Sequence, residues 1–249
     1  MLIGIGTGNP DHLTLQAVKA LNSADLILIP RKGPDKSDLA GLRRSICAGV
    51  LTNPATRIVD FDLPVRDVSD PDYRRGVADW HEAIAEVWVR EITVNQGLAG
   101  RVALLVWGDP ALYDSTLRIA ARVGMKIPLQ VTVIPGITSI QTLAAAHAMP
   151  LNTVGGPVLI ATGRQLRDHG WPAGAETVVI MLDGNCAFQA IDPTGISIWW
   201  GAYVGMTEQI IRAGKLSEVA ADIIATRATA RAAHGWIMDI YILRRNGFP

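Results

Sequence analysis

The sequence predicts an α/β protein of two α/β domains, with a parallel sheet in the N-terminal domain and a mixed sheet in the C-terminal domain. Short apolar runs alternate with helical patterns as far as about residue 150, which is typical of consecutive βαβ units. After Met149 and Pro150 the apolar runs continue, but fewer helical patterns separate them. We therefore expect an N-terminal α/β domain over residues 1–150 and a C-terminal α+β domain over residues 151–249.

Each element of this pattern is predicted from apolar periodicity. In the first domain, runs rich in Val, Ile and Leu predict strands at residues 2–5, 26–29, 57–61, 102–106 and 131–134. Apolar residues at helical spacing predict helices at residues 13–21, 38–50, 73–96, 115–123 and 139–148. In the second domain, strands are predicted at residues 158–161, 177–182, 196–200 and 237–243.

Composition narrows the classes of partner. The chain has 23 Lys and Arg against 23 Asp and Glu residues, so no basic excess indicates a nucleic-acid partner. Cys47 and Cys186 form neither a metal-binding spacing nor a disulfide framework, and we expect two small buried thiols in a reducing cytoplasm. No apolar run approaches the ~18 residues of a membrane helix, and no charged and apolar leader is recognised. We expect a cytoplasmic protein with no metal and no membrane partner.

Three of the predicted strands end in a glycine-bearing corner that opens a helix. The corners are Gly4, Gly6 and Gly8 after the first strand, Gly108-Asp109-Pro110 after residues 102–106, and Pro135-Gly136 after residues 131–134. In an open parallel sheet, ligands bind at the carboxyl ends of the strands, and glycine there lets the backbone approach a ligand. The three corners therefore predict a ligand site, although Gly, Asp and Pro also form ordinary turns.

The N-terminal glycines do not form a phosphate-binding fingerprint. A dinucleotide fingerprint that starts at Gly4 requires glycine at Asn9, and one that starts at Gly6 requires glycine at Asp11. No Gly-Lys-Ser/Thr follows, which excludes a nucleoside-triphosphate loop. The basic pair after the second predicted strand keeps an NADP-binding oxidoreductase as an alternative.

Five motifs follow one another along the chain. They are Gly-x-Gly-x-Gly-x-Pro-x-x-Leu-Thr from Gly4, Gly-Asp-Pro-x-x-Tyr from Gly108, Pro-Gly-Ile-Thr-Ser from Pro135, the strand at residues 177–182, and Gln-x-x-x-x-Gly-x-Leu from Gln209. In this order they resemble the tetrapyrrole (corrin/porphyrin) methylase family. The resemblance implies S-adenosylmethionine as cofactor, S-adenosylhomocysteine as product, an active site in the cleft between two α/β domains, and a homodimer.

Further runs, at residues 29–32, 43–47 and 112–116, resemble the deacetylating methyltransferases of the cobalamin pathway within this family. That resemblance implies methyl transfer to carbon 1 of precorrin-5, with loss of the acetyl group as acetate, to give precorrin-6A. The alternatives of the same fold act on carbon 20 of precorrin-2 or on a diphthamide precursor in a protein. The chain departs from many relatives at Asn9, where they have Asp, and in lacking Pro-Ala before its last strand.

The resemblance assigns cofactor binding to positions at the strand ends. These are Thr7, Gly108, Asp109, Pro110, Leu112, Thr138, Ser139, Leu182, Ala202 and Met238. In this interpretation the Asp109 carboxylate binds a polar group of the cofactor, and backbone near Thr138 and Leu182 receives the adenosine.

Substrate and catalytic residues are predicted from position. Arg31 and Lys32 follow the second strand at its carboxyl end, where cations can bind the carboxylates of a precorrin, the alternative being a solvated basic turn. Deacetylation is hydrolytic and requires a general acid or base that the sequence does not identify. Asp114 and Asp183, beside the cofactor corners, are candidates for this role and equally for turn capping.

The remaining polar and aromatic residues that attract attention have structural explanations. His81 and Glu82 lack a second histidine at zinc-protease spacing, so we expect an exposed pair on a helix. His147 is expected to cap its helix. The Trp199-Trp200 pair is expected to fill the core, with substrate contact as the alternative.

Overall fold

The computed structural model describes residues 1–31, 37–66, 72–97 and 99–245. It divides into two compact units, Met1–Thr138 and Ser139–Pro249. The first unit contains a parallel sheet and the second a mixed sheet, which confirms the predicted fold class. Among the described residues, no helix combines the length and apolarity needed to span a membrane.

The sheet of the first unit contains five parallel strands. They are β1 (Leu2–Gly4), β2 (Leu26–Arg31), β3 (Arg57–Asp62), β4 (Val102–Val106) and β5 (Val133–Ile134), in the spatial order β3-β2-β4-β1-β5. The central strands are almost wholly apolar because helices cover both faces, as is usual for parallel sheets.

Four helices of the first unit enclose two cores, one on each face of the sheet. They are α1 (Leu15–Asn22), α2 (Ser37–Val50), α3 (Tyr73–Gln96) and α4 (Thr116–Gly124). Residues of α1 and α2 pack with Ile27 and Ile29 of β2, whereas residues of α3 and α4 pack with Leu26 and Leu28. This division follows from strand geometry, since alternate side chains point to opposite faces.

The described residues of the second unit form three α-helices, one short 3-10 helix (Ala187–Ala190) and a mixed sheet. In chain order the elements are α5 (Ser139–Ala146), β6 (Val158–Thr162), α6 (Gly163–His169), β7 (Thr177–Met181), β8 (Ile196–Ala202), β9 (Ile210–Lys215), α7 (Leu216–His234) and β10 (Asp239–Arg245). The strand order is β6-β7-β10-β8-β9, in which β6 and β7 are parallel and all other pairs are antiparallel.

Two helices of the second unit were absent from the sequence prediction. Helix α6 begins with a capping box, in which Thr162 Oγ1 accepts from the Gln165 amide and Gln165 Oε1 accepts from the Thr162 amide. The start of this helix was therefore recognisable in the sequence from its Thr-x-x-Gln motif. Helix α7 is rich in alanine on every side, so its buried positions, Leu216, Ile223, Arg227 and Ala230, do not form a visible apolar stripe.

Helix α5 belongs with the second unit. It packs against β8 and β10, and its Leu143 side chain lies only 2.7 Å from the position that a Cβ on Gly201 would take. The sequence places the domain boundary at residue 150, after this helix, whereas the structural division comes immediately before it.

Candidate functional site

The three glycine corners meet at the carboxyl edge of the parallel sheet. The Gly108 amide donates to the Gly6 carbonyl at 2.8 Å, forming an isolated antiparallel bridge between the corners after β1 and β4. The Gly136 amide donates to Asp109 Oδ2 at 2.9 Å, which joins the corners after β4 and β5. The structure thus brings together the three loops that the sequence singled out.

The backbones of these corners are packed too closely for side chains. A Cβ on Gly4 would lie 2.6 Å from the Gly136 nitrogen and 2.7 Å from the Gly108 carbonyl oxygen. A Cβ on Gly136 would overlap the same carbonyl oxygen. Gly108 has a φ of +61°, a conformation that favours glycine. The site edge is therefore formed largely by backbone groups.

Asp109 holds this edge together. Its Oδ1 accepts from the Ala111 amide at 2.7 Å, and its Oδ2 accepts from Gly136 in the neighbouring corner. Its carbonyl oxygen accepts from the Leu112 amide at 3.2 Å. Both carboxylate oxygens are thus engaged by the protein itself, which gives Asp109 an organising role beside the predicted cofactor contact. Pro110 is buried within the same turn.

The other predicted cofactor residues of the first unit lie on these corners. Thr7 is buried, and its hydroxyl shares a hydrogen bond with His12 Nδ1 at 3.1 Å. Thr138 is also buried, with its Cα 3.6 Å from the position that a Cβ on Gly108 would take. Leu112 is half-buried, and Ser139 is the first residue of α5.

The predicted cofactor residues of the second unit share one end of the mixed sheet. Leu182 directly follows β7, is 67% exposed and has a φ of +53°. Ala202 ends β8 opposite Asp239 of β10, and the Tyr203 amide donates to the Met238 carbonyl at 2.9 Å. Strand β10 lies between β7 and β8, so the three predicted residues are on neighbouring strand ends.

A buried polar network fixes this end of the mixed sheet. Arg227 of α7 donates from Nε to Asp239 Oδ2 at 2.8 Å and from Nη2 to the Asp183 carbonyl at 3.1 Å. Trp200 Nε1 donates to Asp239 Oδ2 at 3.1 Å, and the Tyr241 hydroxyl donates to Asp183 Oδ2 at 2.6 Å. Burial and the Asp183 charge raise the pKa of Tyr241 far above its ordinary value, so its hydroxyl remains a donor. Sequence reasoning missed Arg227 and Asp239.

The two carboxylates proposed for catalysis differ in how far they are engaged. Asp114 Oδ1 accepts from the amide of Thr116 at 2.6 Å and from its hydroxyl at 2.5 Å, while Oδ2 forms no hydrogen bond among the described residues. Both oxygens of Asp183 are occupied, Oδ1 by the Asn185 amide and Oδ2 by the Ala187 amide and the tyrosine of the network. The geometry favours turn capping for Asp183 and leaves one oxygen of Asp114 available.

Arg31, predicted to bind substrate, is at an exposed strand end. Its Nη2 pairs with Asp62 Oδ2 at 3.0 Å, and the two residues are register partners on β2 and β3. Because the Arg31 charge is already paired and solvated, the basic-turn interpretation gains support. Lys32 lies outside the described residues.

Two histidines differ from expectation. His81 is not exposed: it is only 4% exposed where α3 packs on α4, and its Nε2 has no partner among the described residues. The helix turns Glu82 outward instead, where it pairs with Lys126 at 2.7 Å.

His147 lies beyond α5 and its Nε2 is 3.1 Å from the Trp200 carbonyl oxygen, so it contacts a strand and does not cap its own helix.

Other predictions from the sequence are confirmed. Cys47 and Cys186 are buried thiols, and burial raises the pKa of Cys47 to about 11, which makes it a poor nucleophile. Trp199 and Trp200 are buried in the second unit, and the Trp199 ring also stacks under the Arg244 guanidinium.

Comparison with known proteins gives the family. The family model for tetrapyrrole (corrin/porphyrin) methylases matches residues 1–220. The chain is 48% identical over 247 residues to a precorrin-6A synthase [deacetylating] from Sinorhizobium sp., covering 98% of this chain and 94% of the relative. It is 33% identical over 156 residues to a precorrin-2 C(20)-methyltransferase of the same genus, covering 60% of this chain and 59% of the relative.

A solved structure extends the similarity to three dimensions. The cobalamin synthesis related protein CobF from Corynebacterium diphtheriae superposes with a TM-score of 0.84 at 38% identity, covering 99% of this chain and 98% of that one. Together with the matched motifs and the joined glycine corners, these similarities are decisive. The chain belongs to the tetrapyrrole (corrin/porphyrin) methylase family.

Proposed function

We propose that this protein is a deacetylating precorrin-6A synthase of cobalamin biosynthesis. It transfers a methyl group from S-adenosylmethionine to carbon 1 of precorrin-5, and water takes up the ring's acetyl group, which leaves as acetate. The products are precorrin-6A, S-adenosylhomocysteine and acetate. The observation that carries the proposal is 48% identity over 98% of the chain to a relative of that name. Similarity to the precorrin-2 C(20)-methyltransferase is weaker and covers only 60% of the chain.

The joined corners of the first unit fit a nucleoside cofactor. Glycines at positions 4 and 136 let the three corner backbones pack directly against one another where a Cβ would clash, and a ligand can approach an edge formed of backbone closely. We infer that Thr7, Gly108, Pro110, Leu112 and Thr138 hold the cofactor there. In the second unit we assign contacts to Leu182, Ala202 and Met238, with Ser139 at the start of α5.

The reaction makes modest demands on side-chain chemistry. When bound, the cofactor supplies a methyl group that is already activated on a sulfonium. The chain then has to align donor and acceptor and exclude water during methyl transfer. Deacetylation additionally requires proton transfer, for which the unengaged Oδ2 makes Asp114 better suited than Asp183.

An anaerobic assay tests the proposal. Purified protein is incubated with S-adenosylmethionine and, separately, with precorrin-2 and precorrin-5, and the products are analysed by mass spectrometry. We expect precorrin-5 alone to be converted, with one methyl group gained, one acetyl group lost and acetate released. Conversion of precorrin-2 would assign the chain to the other methylase. Calorimetry should detect S-adenosylhomocysteine but not NADPH, and the reverse would restore the oxidoreductase alternative.

We further propose a cytoplasmic homodimer. Buried thiols at both cysteines suit a reducing compartment. The edge strands β5 and β6 expose the large apolar residues Val133, Leu159 and Ile160, a feature that an interface between subunits would cover. Light scattering at micromolar concentration should give a dimer mass, and a monomer mass would contradict this proposal.

A further inference from the structure

The guanidinium of Arg43 lies at the carboxyl end of β4. From α2, its Nε donates to the Leu105 carbonyl of β4 at 3.1 Å, and its Nη1 donates to the Leu39 carbonyl at 3.2 Å. Its guanidinium carbon is 5.0 Å from the centre of the Trp107 ring, over which it stacks. Contacts with a strand, a helix and an indole thus hold the side chain in one orientation.

The parallel sheet separates at this point. Pairing of β2 with β4 ends at Leu28 and Leu104, although β2 continues beside β3 and β4 continues beside β1. The Val106 carbonyl accepts from the amide of Ile5, the residue after β1, so the preceding carbonyl, that of Leu105, faces the β2 side. The Arg43 side chain donates a hydrogen bond to this carbonyl, at the position where the backbone of a neighbouring strand would otherwise donate.

The separation coincides with a topological switch point. The connection that follows β2 leads outward to β3, whereas the connection that follows β4 leads in the opposite direction to β5. Where neighbouring parallel strands diverge in this way, their carboxyl ends flank a crevice in which ligands bind. Arg43 therefore lies where the topology of the sheet alone predicts a ligand.

Within the described part of the chain, no ion pair neutralises the charge of Arg43. In the described part of the chain its hydrogen-bond partners are two backbone carbonyls. Asp114 is close enough to act on it electrostatically but forms no hydrogen bond with it. Burial lowers the pKa of Arg43 to about 10, so the group is still a cation at neutral pH. By contrast, Arg31 and the adjacent Arg44 each pair with an aspartate.

A partly buried cation without a carboxylate partner is unfavourable until an anion binds. Nη2 forms no hydrogen bond among the described residues, so the outer edge of the guanidinium retains donors suited to a carboxylate. We propose that Arg43 binds a carboxylate of the ligand at this switch point. The inference rests on the proposed function, which supplies two sources of that group: an acetate or propionate side chain of the tetrapyrrole, and the amino-acid carboxylate of the cofactor.

The test compares Arg43→Gln and Arg43→Lys with Arg44→Gln, a neighbouring arginine whose charge is already paired. Thermal unfolding is measured first, then the dissociation constant for S-adenosylhomocysteine and the KM for precorrin-5. We expect Arg43→Gln to raise one of these constants by about tenfold or more, because charge-assisted hydrogen bonds are lost. Arg43→Lys retains the charge but not the planar fork, and should raise the same constant by less. Arg44→Gln should change neither.

The outcomes are distinct. A raised KM with unchanged cofactor affinity identifies a tetrapyrrole carboxylate, and a raised cofactor dissociation constant identifies the cofactor carboxylate. Wild-type values in a folded Arg43→Gln protein overturn the proposal, as does loss of the fold in both Arg43 variants, which would show that Arg43 serves structure alone. If the wild type fails to convert precorrin-5, the proposed function fails independently. In that case the affinity for uroporphyrin III, measured by tryptophan quenching in the wild type and in Arg43→Gln, tests whether Arg43 binds a tetrapyrrole carboxylate. Weaker binding by Arg43→Gln would support this role, and equal binding would contradict it.

Discussion

The backbone amide of Gly136 donates a hydrogen bond of 2.9 Å to the carboxylate of Asp109. The two residues belong to corners after different strands, β5 and β4, which are joined through this bond and through the close approach of Gly136 to the Gly108 carbonyl. An aspartate that the sequence suggests as a cofactor ligand therefore also determines the shape of the backbone to which a cofactor would bind.

Asp109→Ala tests this double role. Loss of the carboxylate removes the acceptor for two backbone amides, and we expect the free energy of unfolding to fall by about 1–3 kcal/mol. Binding of S-adenosylhomocysteine should weaken by about 1.5–3 kcal/mol without loss of the fold. Calorimetry and urea titration measure the two effects. Asp192→Ala is the control, since Asp192 accepts hydrogen bonds from Thr194, two residues on in the same turn; an equal loss of affinity there would contradict the assignment.

Gly136→Ala should destabilise the first unit. The added methyl group would overlap the Gly108 carbonyl oxygen and crowd the Gly4 backbone, and we expect a cost of about 1–3 kcal/mol or more. The matched variant is Gly49→Ala in α2, where the added group would point into open space. That change should stabilise by about 0.5–1 kcal/mol. Denaturant unfolding of both variants checks the contrast, and equal stabilities would refute close packing at the corner.

Arg227→Met should destabilise the second unit strongly. The side chains of Arg227 and Asp239 are only 11% and 8% exposed, so removal of the cation leaves a buried carboxylate without its partner. We expect a loss of about 3–5 kcal/mol in the free energy of unfolding. Arg212→Met breaks an ion pair to Asp222 whose side chains are 41% and 59% exposed, and should cost about 1 kcal/mol at most. Similar losses in both variants would argue against the buried network.

Asp114→Asn should separate the two chemical steps. Asparagine keeps an acceptor for the Thr116 amide and so preserves the start of α4, but it cannot accept or release a proton at neutral pH. We expect acetate release to slow by about 100-fold or more while the protein stays folded. Parallel measurement of S-adenosylhomocysteine and acetate in a single turnover checks this. Acetate release at the wild-type rate would exclude Asp114 from proton transfer.

His81 should contribute to acid sensitivity. Burial lowers the pKa of His81 in the folded protein. The positive charges of Arg122 and Arg118 lower this pKa further, and the negative charge of Asp114 acts in the opposite direction. The unfolded chain then binds a proton more readily, so the free energy of unfolding should decrease as pH falls below about 6.5. His81→Leu removes this titration and an unpartnered buried nitrogen, and its stability relative to wild type should increase from about pH 7.5 to about pH 5.5.

The comparison variant for that pH series is His169→Leu, at the exposed end of α6. Because burial also lowers the pKa of His147, part of the pH dependence will persist in the His81 variant. A pH profile identical to that of the wild type would show that His81 is not responsible.

Elements with one strong period were predictable from the sequence. Strand β4 and helix α3 match their predicted bounds, because a continuous apolar run ended by Gly-Asp-Pro and a long 3.6-residue repeat have few alternatives. The glycine corners were also recognisable, since close backbone contact allows no other residue. The order of the parallel strands follows from none of these local patterns.

The polar contacts of the site could not be predicted in this way. Arg227 and Asp239 are single polar residues on separate elements, and nothing local shows that each is buried against the other. Arg43 lies on a helix beside the exposed residues Arg44 and Ser45, so the sequence suggests a surface residue until the separation of β2 from β4 is known. His81 was misplaced because a small rotation of a helix decides which of two adjacent residues is buried.

Strand β10 occupies the centre of the mixed sheet although it is the last strand of the described chain. Until these residues emerge from the ribosome, β7 and β8 have no partner on their shared side, and the nascent second unit presents two open strand edges. The first unit has no such dependence, since all of its strands precede residue 138. During synthesis the parallel sheet can therefore assemble early, whereas the second unit must wait for its final segment, and truncation before Asp239 should yield aggregation in place of a shortened fold.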